Sequence, residues 1–213
     1  MELKTWLQRC PLVAILRGVK PDEVVAICEA LEQQAIAIVE VPLNSPQPME
    51  SIAVLARAFG ERLLIGAGTV MTEAQVTEIA AAGGRLIVTP HAEAAIVRAA
   101  KRHGLLAVPG CFTPTEALAM LAAGADALKL FPAEAASPAV LRALRAVLPP
   151  GTAVLPVGGI DASNMAGWQA ASAAGFGIGS AIYKPGDSPE TVAAKAHRLV
   201  NAVRTTQFLA EPF

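Results

Sequence analysis

Short apolar runs rich in β-branched residues alternate along this chain with longer stretches whose apolar positions recur at helical spacing. The pattern predicts strands at Leu12–Leu16, Ile36–Val41, Leu63–Gly66, Leu86–Thr89, Leu105–Val108, Ala127–Leu130, Ala153–Val157 and Gly175–Ile178. Helix starts are marked by Pro21-Asp22-Glu23, Thr72-Glu73, Thr113-Pro114, Ser137-Pro138, Asp161 and Ser188-Pro189, which carry N-cap or first-turn chemistry. Stops fall at Gly60, Gly83-Gly84, Gly104, Gly124, Gly151 and Gly175. The strands are nearly continuous apolar runs, as in a parallel sheet covered by helices on its faces. Eight β-then-α units at about 27 residues each predict an α/β fold, a (β/α)8 TIM barrel. A short extra helix at Glu2–Gln8 lies across its floor. The competing fold is an open doubly wound sheet, which usually carries a glycine-rich phosphate turn after the first strand; Arg17-Gly18-Val19 is not one.

Composition narrows this further. The 213 residues are 54% hydrophobic and 16% charged, with no linker-like stretch, so a single domain over 1–213 is expected. Seventeen basic residues against eighteen acidic ones argue against nucleic acid or an anionic membrane as partner. Ala162–Tyr183 is free of charge, yet its Asn164, Gln169, serines and glycines read as helix, turn and strand, not as a membrane span. No secretory signal is visible, since the apolar stretch after Arg9 stops at Arg17. Cys10, Cys28 and Cys111 suit a reducing compartment and offer no zinc spacing, so a cytoplasmic protein is expected.

In an eightfold barrel the chemistry sits where strands end. Those positions are Arg17-Gly18, Glu40-Val41-Pro42, Gly66-Ala67-Gly68-Thr69, Thr89-Pro90, Pro109-Gly110-Cys111, Lys129-Leu130-Phe131-Pro132, Val157-Gly158-Gly159 and Gly179-Ser180. Lys129 is the one lysine of six set inside an apolar strand. Burial there disfavours its charged form, and a neutral amine is what Schiff-base chemistry on a ketone requires. Glu40 is likewise an odd charge in an apolar strand and suits a proton shuttle. A purely structural ion pair between the two remains open, as does a phosphate-binding role for Lys129. Asp126, at the far end of the same strand, reads as structural.

Gly158-Gly159 and Gly179-Ser180 end the last two strands, where barrels of this kind often hold a phosphate on backbone N–H groups. Arg17 suits a bidentate grip on a carboxylate, or a pairing with Glu40. Thr69 suits a hydrogen bond to a carboxylate or keto oxygen, or a helix cap. Pro90, Phe131 and Val157 complete the expected substrate contacts. His91 reads as a cap or surface residue, and Cys111 as a packed thiol.

Together these stretches resemble the bacterial aldolases that cleave 2-keto-3-deoxy-6-phospho sugar acids. The likeness runs through Pro11-Leu12-Val13-Ala14-Ile15-Leu16-Arg17-Gly18, Val39-Glu40-Val41-Pro42-Leu43-Asn44-Ser45-Pro46, Ile65-Gly66-Ala67-Gly68-Thr69-Val70, Pro109-Gly110-Cys111, Leu128-Lys129-Leu130-Phe131-Pro132 and Val157-Gly158-Gly159-Ile160. The resemblance implies that Lys129 forms the Schiff base, Glu40 is the acid/base, and Arg17 and Thr69 contact the pyruvate portion. It also implies a phosphate site at Gly158, Gly159, Gly179 and Ser180, and a homotrimer. The gluconate-type branch has arginine and threonine where this chain has Asn44 and Val157, so the galactonate-type branch is the better match. The expected ligands are a phosphorylated keto sugar acid and pyruvate, with no cofactor or metal, because an iminium serves as the electron sink. The gluconate epimer as main substrate, a phosphosugar isomerase or epimerase, and a non-catalytic metabolite-binding barrel are the other readings.

Overall fold

The computed structural model describes residues 2–205; Met1 and residues 206–213, which the single-domain expectation includes, lie outside the described residues. An N-terminal helix α1 (Leu3–Arg9) precedes β1 (Leu12–Ile15), α2 (Val24–Gln33), β2 (Ile38–Pro42), α3 (Pro48–Phe59) and β3 (Leu64–Gly68). Then come α4 (Glu73–Ala81), β4 (Leu86–Val88), α5 (Ala94–Arg102), β5 (Leu106–Val108), β6 (Gly110–Cys111), α6 (Pro114–Ala122) and β7 (Leu128–Leu130). A 3-10 turn (Ala133–Ala135), α7 (Pro138–Arg145), β8 (Val154–Pro156), α8 (Met165–Ala170), β9 (Phe176–Ile178) and α9 (Pro189–Thr205) complete the order.

Among the described residues all the pairings are parallel, giving one sheet of order β5-β4-β3-β2-β1-β9 and another of order β6-β7-β8. The sheets share the chain run 106–111 at one side and meet at a bridge between Val157 and Gly177 at the other. This is a curled, TIM-like α/β fold. Side chains alternate across a strand, so Val13 and Ile15, Leu86 and Val88, and Leu155 and Val157 point inward together and line one internal cavity with Glu40 and Lys129. Outward residues of the same strands are buried too, because the helices cover them; Leu12, Ala14, Val39 and Leu128 show no exposure.

Helix α1 lies where the floor was expected. Leu3 lines the internal cavity from below, and buried Trp6 carries the guanidinium of Arg9 at 4.9 Å and that of Arg85 at 5.7 Å from its ring centroid. The predicted starts at Thr72 and Thr113 form full capping boxes with Gln75 and Glu116.

Two expectations are corrected. The strand at Leu105–Val108 runs on after a break, because Pro109 has no N–H to continue the ladder; β5 pairs with β4 and β6 with β7. Asp161 does not start a helix. Its carboxylate is taken up by the amide and hydroxyl of Ser163, and α8 begins only at Met165.

The curl needs small residues where strands approach closely. A methyl group on Gly66 would come within 2.1 Å of the Leu86 carbonyl oxygen, a backbone atom of the neighbouring strand. Gly66→Ala is therefore expected to lower the unfolding free energy by about 3 kcal/mol, at the upper end for overpacking. Urea denaturation checks this, and an unchanged midpoint would contradict the packing.

Candidate active site

Lys129 and Glu40 project into the apolar interior from β7 and β2, with 6% and 2% exposure. Burial dominates both titrations. It lowers the Lys129 pKa against the opposing pull of Glu40, with Arg17 adding to the lowering. It raises the Glu40 pKa from 4.5 to about 7, while Lys129 and Arg17 hold it lower than it would otherwise go. Among the described residues neither makes an ion pair within 4.0 Å, so the structural salt bridge is not formed. The Lys129 Nζ sits 4.4 Å from the Phe131 ring centroid, and Glu40 Oε2 is buried with no hydrogen-bond partner. A poised amine thus lies in the same apolar space as a carboxyl able to change protonation near neutrality.

The strand ends around this pair are shaped for it. Register sets Glu40 beside Gly66 and Pro42 beside Gly68. A methyl group at Gly68 would fall 1.9 Å from Glu40 Oε2, so this position must be glycine for the carboxylate to keep its place. Thr69, next in the chain, has φ of +57, unusual for a β-branched residue and the kind of local strain that gathers at functional sites. It does not cap α4; Thr72 does. A methyl group at Gly110 would fall 2.6 Å from the Pro90 carbonyl carbon, so glycine is needed there, and Gly110 pairs with Lys129.

Arg17 stands exposed at the end of β1 and donates to Asn44 at 2.6 Å, not to Glu40. Val157 lines the cavity with Lys129 and leads directly into Gly158 and Gly159, whose φ values are +109 and +63. Its bridge to Gly177 brings the end of β8 beside that of β9 and hence Gly179-Ser180. Gly179 has an ordinary φ and open space around it, so glycine is not demanded there as it is at Gly158 and Gly159. Because the strands are parallel, the strand-end residues expected to contact substrate fall at one end of the curl, and Asp126 at the other.

Some neighbours escaped the reading of the sequence. Glu134, just after Lys129 on the 3-10 turn, lays its carboxylate on the glycine turn, 2.0 Å from where a Gly158 methyl would be. No pattern in the chain signals that contact, which is made across the β7–α7 and β8–α8 connections. Asn44 and Ser45 were visible only as part of a motif. As expected, Asp126 is structural, pairing with Lys101 at 2.7 Å and accepting from Ala107 N–H. Cys111 is a buried thiol pushed up to about 12 by desolvation, then by Glu116. His91 is half-buried, with Nδ1 unpartnered. Among the described residues no group of three His, Cys, Asp or Glu side chains is arranged to hold a metal ion.

The raised Glu40 pKa carries a consequence for stability. Between its ordinary value of 4.5 and about 7, the unfolded chain gives up this proton while the folded chain keeps it. Stability must then fall as pH rises through that window, by up to about 3 kcal/mol from this group alone, and stay lower above it. Glu40→Gln should remove that decline. Urea unfolding of both proteins across the window checks it, and parallel pH profiles would contradict the burial of an ionisable carboxyl.

Comparison with known proteins gives the chain a family. Residues 3–192 match the family model described as KDPG and KHG aldolase. The chain is 46% identical to the 2-dehydro-3-deoxy-6-phosphogalactonate aldolase of Escherichia coli (strain K12), over 93% of this chain and 97% of that one. It is 30% identical to the 2-dehydro-3-deoxy-phosphogluconate aldolase of Treponema pallidum (strain Nichols), over 77% of this chain and 78% of that one. A solved structure described as native KDPGal superimposes with a TM-score of 0.91 at 45% identity, covering 93% and 96% of the two chains. The chain belongs to the KDPG and KHG aldolase family.

Proposed function

We propose that the chain is a Schiff-base aldolase that reversibly cleaves 2-dehydro-3-deoxy-6-phosphogalactonate to pyruvate and glyceraldehyde 3-phosphate. The observation that carries this is the buried Lys129 with its lowered pKa, sharing apolar space with a carboxyl poised near pH 7. The galactonate epimer is favoured because identity is 46% to the relative of that name and 30% to the gluconate one. Val157 also puts a hydrocarbon where the gluconate-type motif has a threonine hydroxyl. A pocket without that hydroxyl has no polar group to leave unpaired when the other epimer is bound.

The chemistry follows from the two groups. Neutral Lys129 Nζ adds to the C2 ketone, and the Glu40 carboxyl donates the proton that lets the carbinolamine lose water. The resulting iminium draws electrons. Glu40, now a carboxylate, takes the C4 hydroxyl proton, the C3–C4 bond breaks toward the iminium, and the aldehyde leaves. Protonation of the enamine at C3 and hydrolysis return pyruvate and free lysine. A carboxyl titrating near neutrality supplies both acid and base without strong bias, as general acid–base catalysis prefers. Arg17 and Thr69 hold the pyruvate carboxylate, Pro90 and Phe131 wall the pyruvate end, and Gly158, Gly159, Gly179 and Ser180 seat the phosphate.

The reading has a structural and a cellular side. The run 106–111 counts as one strand broken at Pro109, and with the Val157–Gly177 bridge this supports closure as an eight-unit, single-domain barrel. We carry the homotrimer and a cytoplasmic location forward as part of the proposal. Three buried free thiols favour a reducing compartment, and among the described residues no helix is long and apolar enough to cross a membrane.

Borohydride added with pyruvate should fix about one three-carbon adduct per chain on Lys129, located by peptide mass spectrometry. An adduct elsewhere, or none, would overturn the mechanism. Glu40→Gln should lower kcat by roughly a hundredfold or more. On the two pure epimers, Val157→Thr is expected to shift the ratio of kcat/KM toward the gluconate substrate by roughly tenfold; an unmoved ratio would remove Val157 from the specificity.

A further inference from the structure

Two contacts tie the β1–α2 and β2–α3 loops together around a single residue. Arg17 Nη1 donates to Asn44 Oδ1 at 2.6 Å, and the Gly18 amide donates to Ser45 Oγ at 2.9 Å. Ser45 is buried; its hydroxyl reaches the Leu16 carbonyl at 3.5 Å, and its own amide bonds Pro42 at 2.9 Å. The residues before and after Arg17 are thus pinned to Ser45, while Asn44 holds the tip of the side chain. Pro185 closes the turn from behind, filling the space a Gly18 side chain would need, and Gly18 itself has φ of +84.

The identity of the acceptor matters. A carboxamide oxygen orients a guanidinium but leaves its charge intact, whereas a carboxylate would neutralise it. Among the described residues Arg17 takes part in no ion pair. Its charge acts on both Glu40 and Lys129, so it stands within electrostatic reach of the reacting pair. One N–H spent on Asn44 leaves four of the five guanidinium donors for an anion.

We propose that Asn44, braced by Ser45, is a positioning residue that aims the Arg17 guanidinium, its charge unspent, at the carboxylate of the keto acid. This rests on the reading of Arg17 as the carboxylate holder. The arrangement gives the substrate a pre-oriented cation instead of a mobile side chain, so the binding loses little to ordering.

Exchange of pyruvate methyl protons with deuterated water, followed by NMR, reads imine and enamine formation without the phosphate half of the substrate. Asn44→Ala should raise the KM for pyruvate roughly tenfold with kcat within about twofold, the loss expected for a hydrogen bond to a charged group. Asn44→Asp keeps the acceptor but cancels the charge, and should raise KM at least as far; a merely structural contact would leave this variant like the parent. Arg17→Ala should raise KM as much or more, and adding Asn44→Ala to it should change nothing further. Asn44 is exposed, so thermal unfolding of its variants should match the parent. If Arg17→Ala raises KM but neither Asn44 variant does, the positioning role is wrong and the carboxylate reading stands. If Arg17→Ala leaves KM unchanged, the carboxylate reading fails and the proposal with it.

Discussion

Two ionisable groups of opposite sign are held inside an apolar wall, and the rest of the site answers to that constraint. Removing a lysine and a glutamate from water penalises both charges, and their mutual attraction offsets only part of the penalty. The balance leaves Lys129 easier to deprotonate and Glu40 harder. Each group is thereby moved toward the protonation state that addition to a ketone demands. A surface salt bridge of the same residues would do neither, since water would stabilise both charges.

Holding such a pair requires space on one side and rigidity on the other. Space comes from glycines: Gly68 lets the Glu40 carboxylate lie against the neighbouring strand, and Gly110 lets the strand beside Lys129 approach Pro90. Rigidity comes from parallel pairings on both sides of each group, with Glu40 set between Ile15 and Gly66 and Lys129 between Gly110 and Leu155. The floor helix shuts the other end, with Leu3 against the cavity that Glu40 and Lys129 share. An apolar surround of this kind strengthens the electrostatic interactions inside.

Much of this was legible in the chain, for reasons that can be named. A lysine and a glutamate in uninterrupted apolar runs stand out because burying a charge is expensive, so their positions carried information before any coordinates. Thr72 and Thr113 capped helices as expected because capping is a local interaction. The break at Pro109 and the delayed start of α8 were missed, since both depend on which partner strand or side chain claims a backbone group. Glu134 against Gly158, and Asn44 on Arg17, join residues 24 and 27 positions apart (158 minus 134, 44 minus 17), and periodicity says nothing about such contacts. The absence of a Glu40–Lys129 ion pair was likewise beyond the sequence, which left that pairing open.

The central claim is that burial makes the Lys129 ammonium easier to deprotonate than an ordinary lysine. Titration of the protein with lysine labelled at Cε, followed by NMR, observes this directly, because six lysines give six resonances and one should stand apart. The account predicts that the Lys129 signal, assigned by its loss in Lys129→Met, moves at a pH below the value of about 10.4 usual for lysine. A Lys129 resonance that titrates at about 10.4 or above would contradict it.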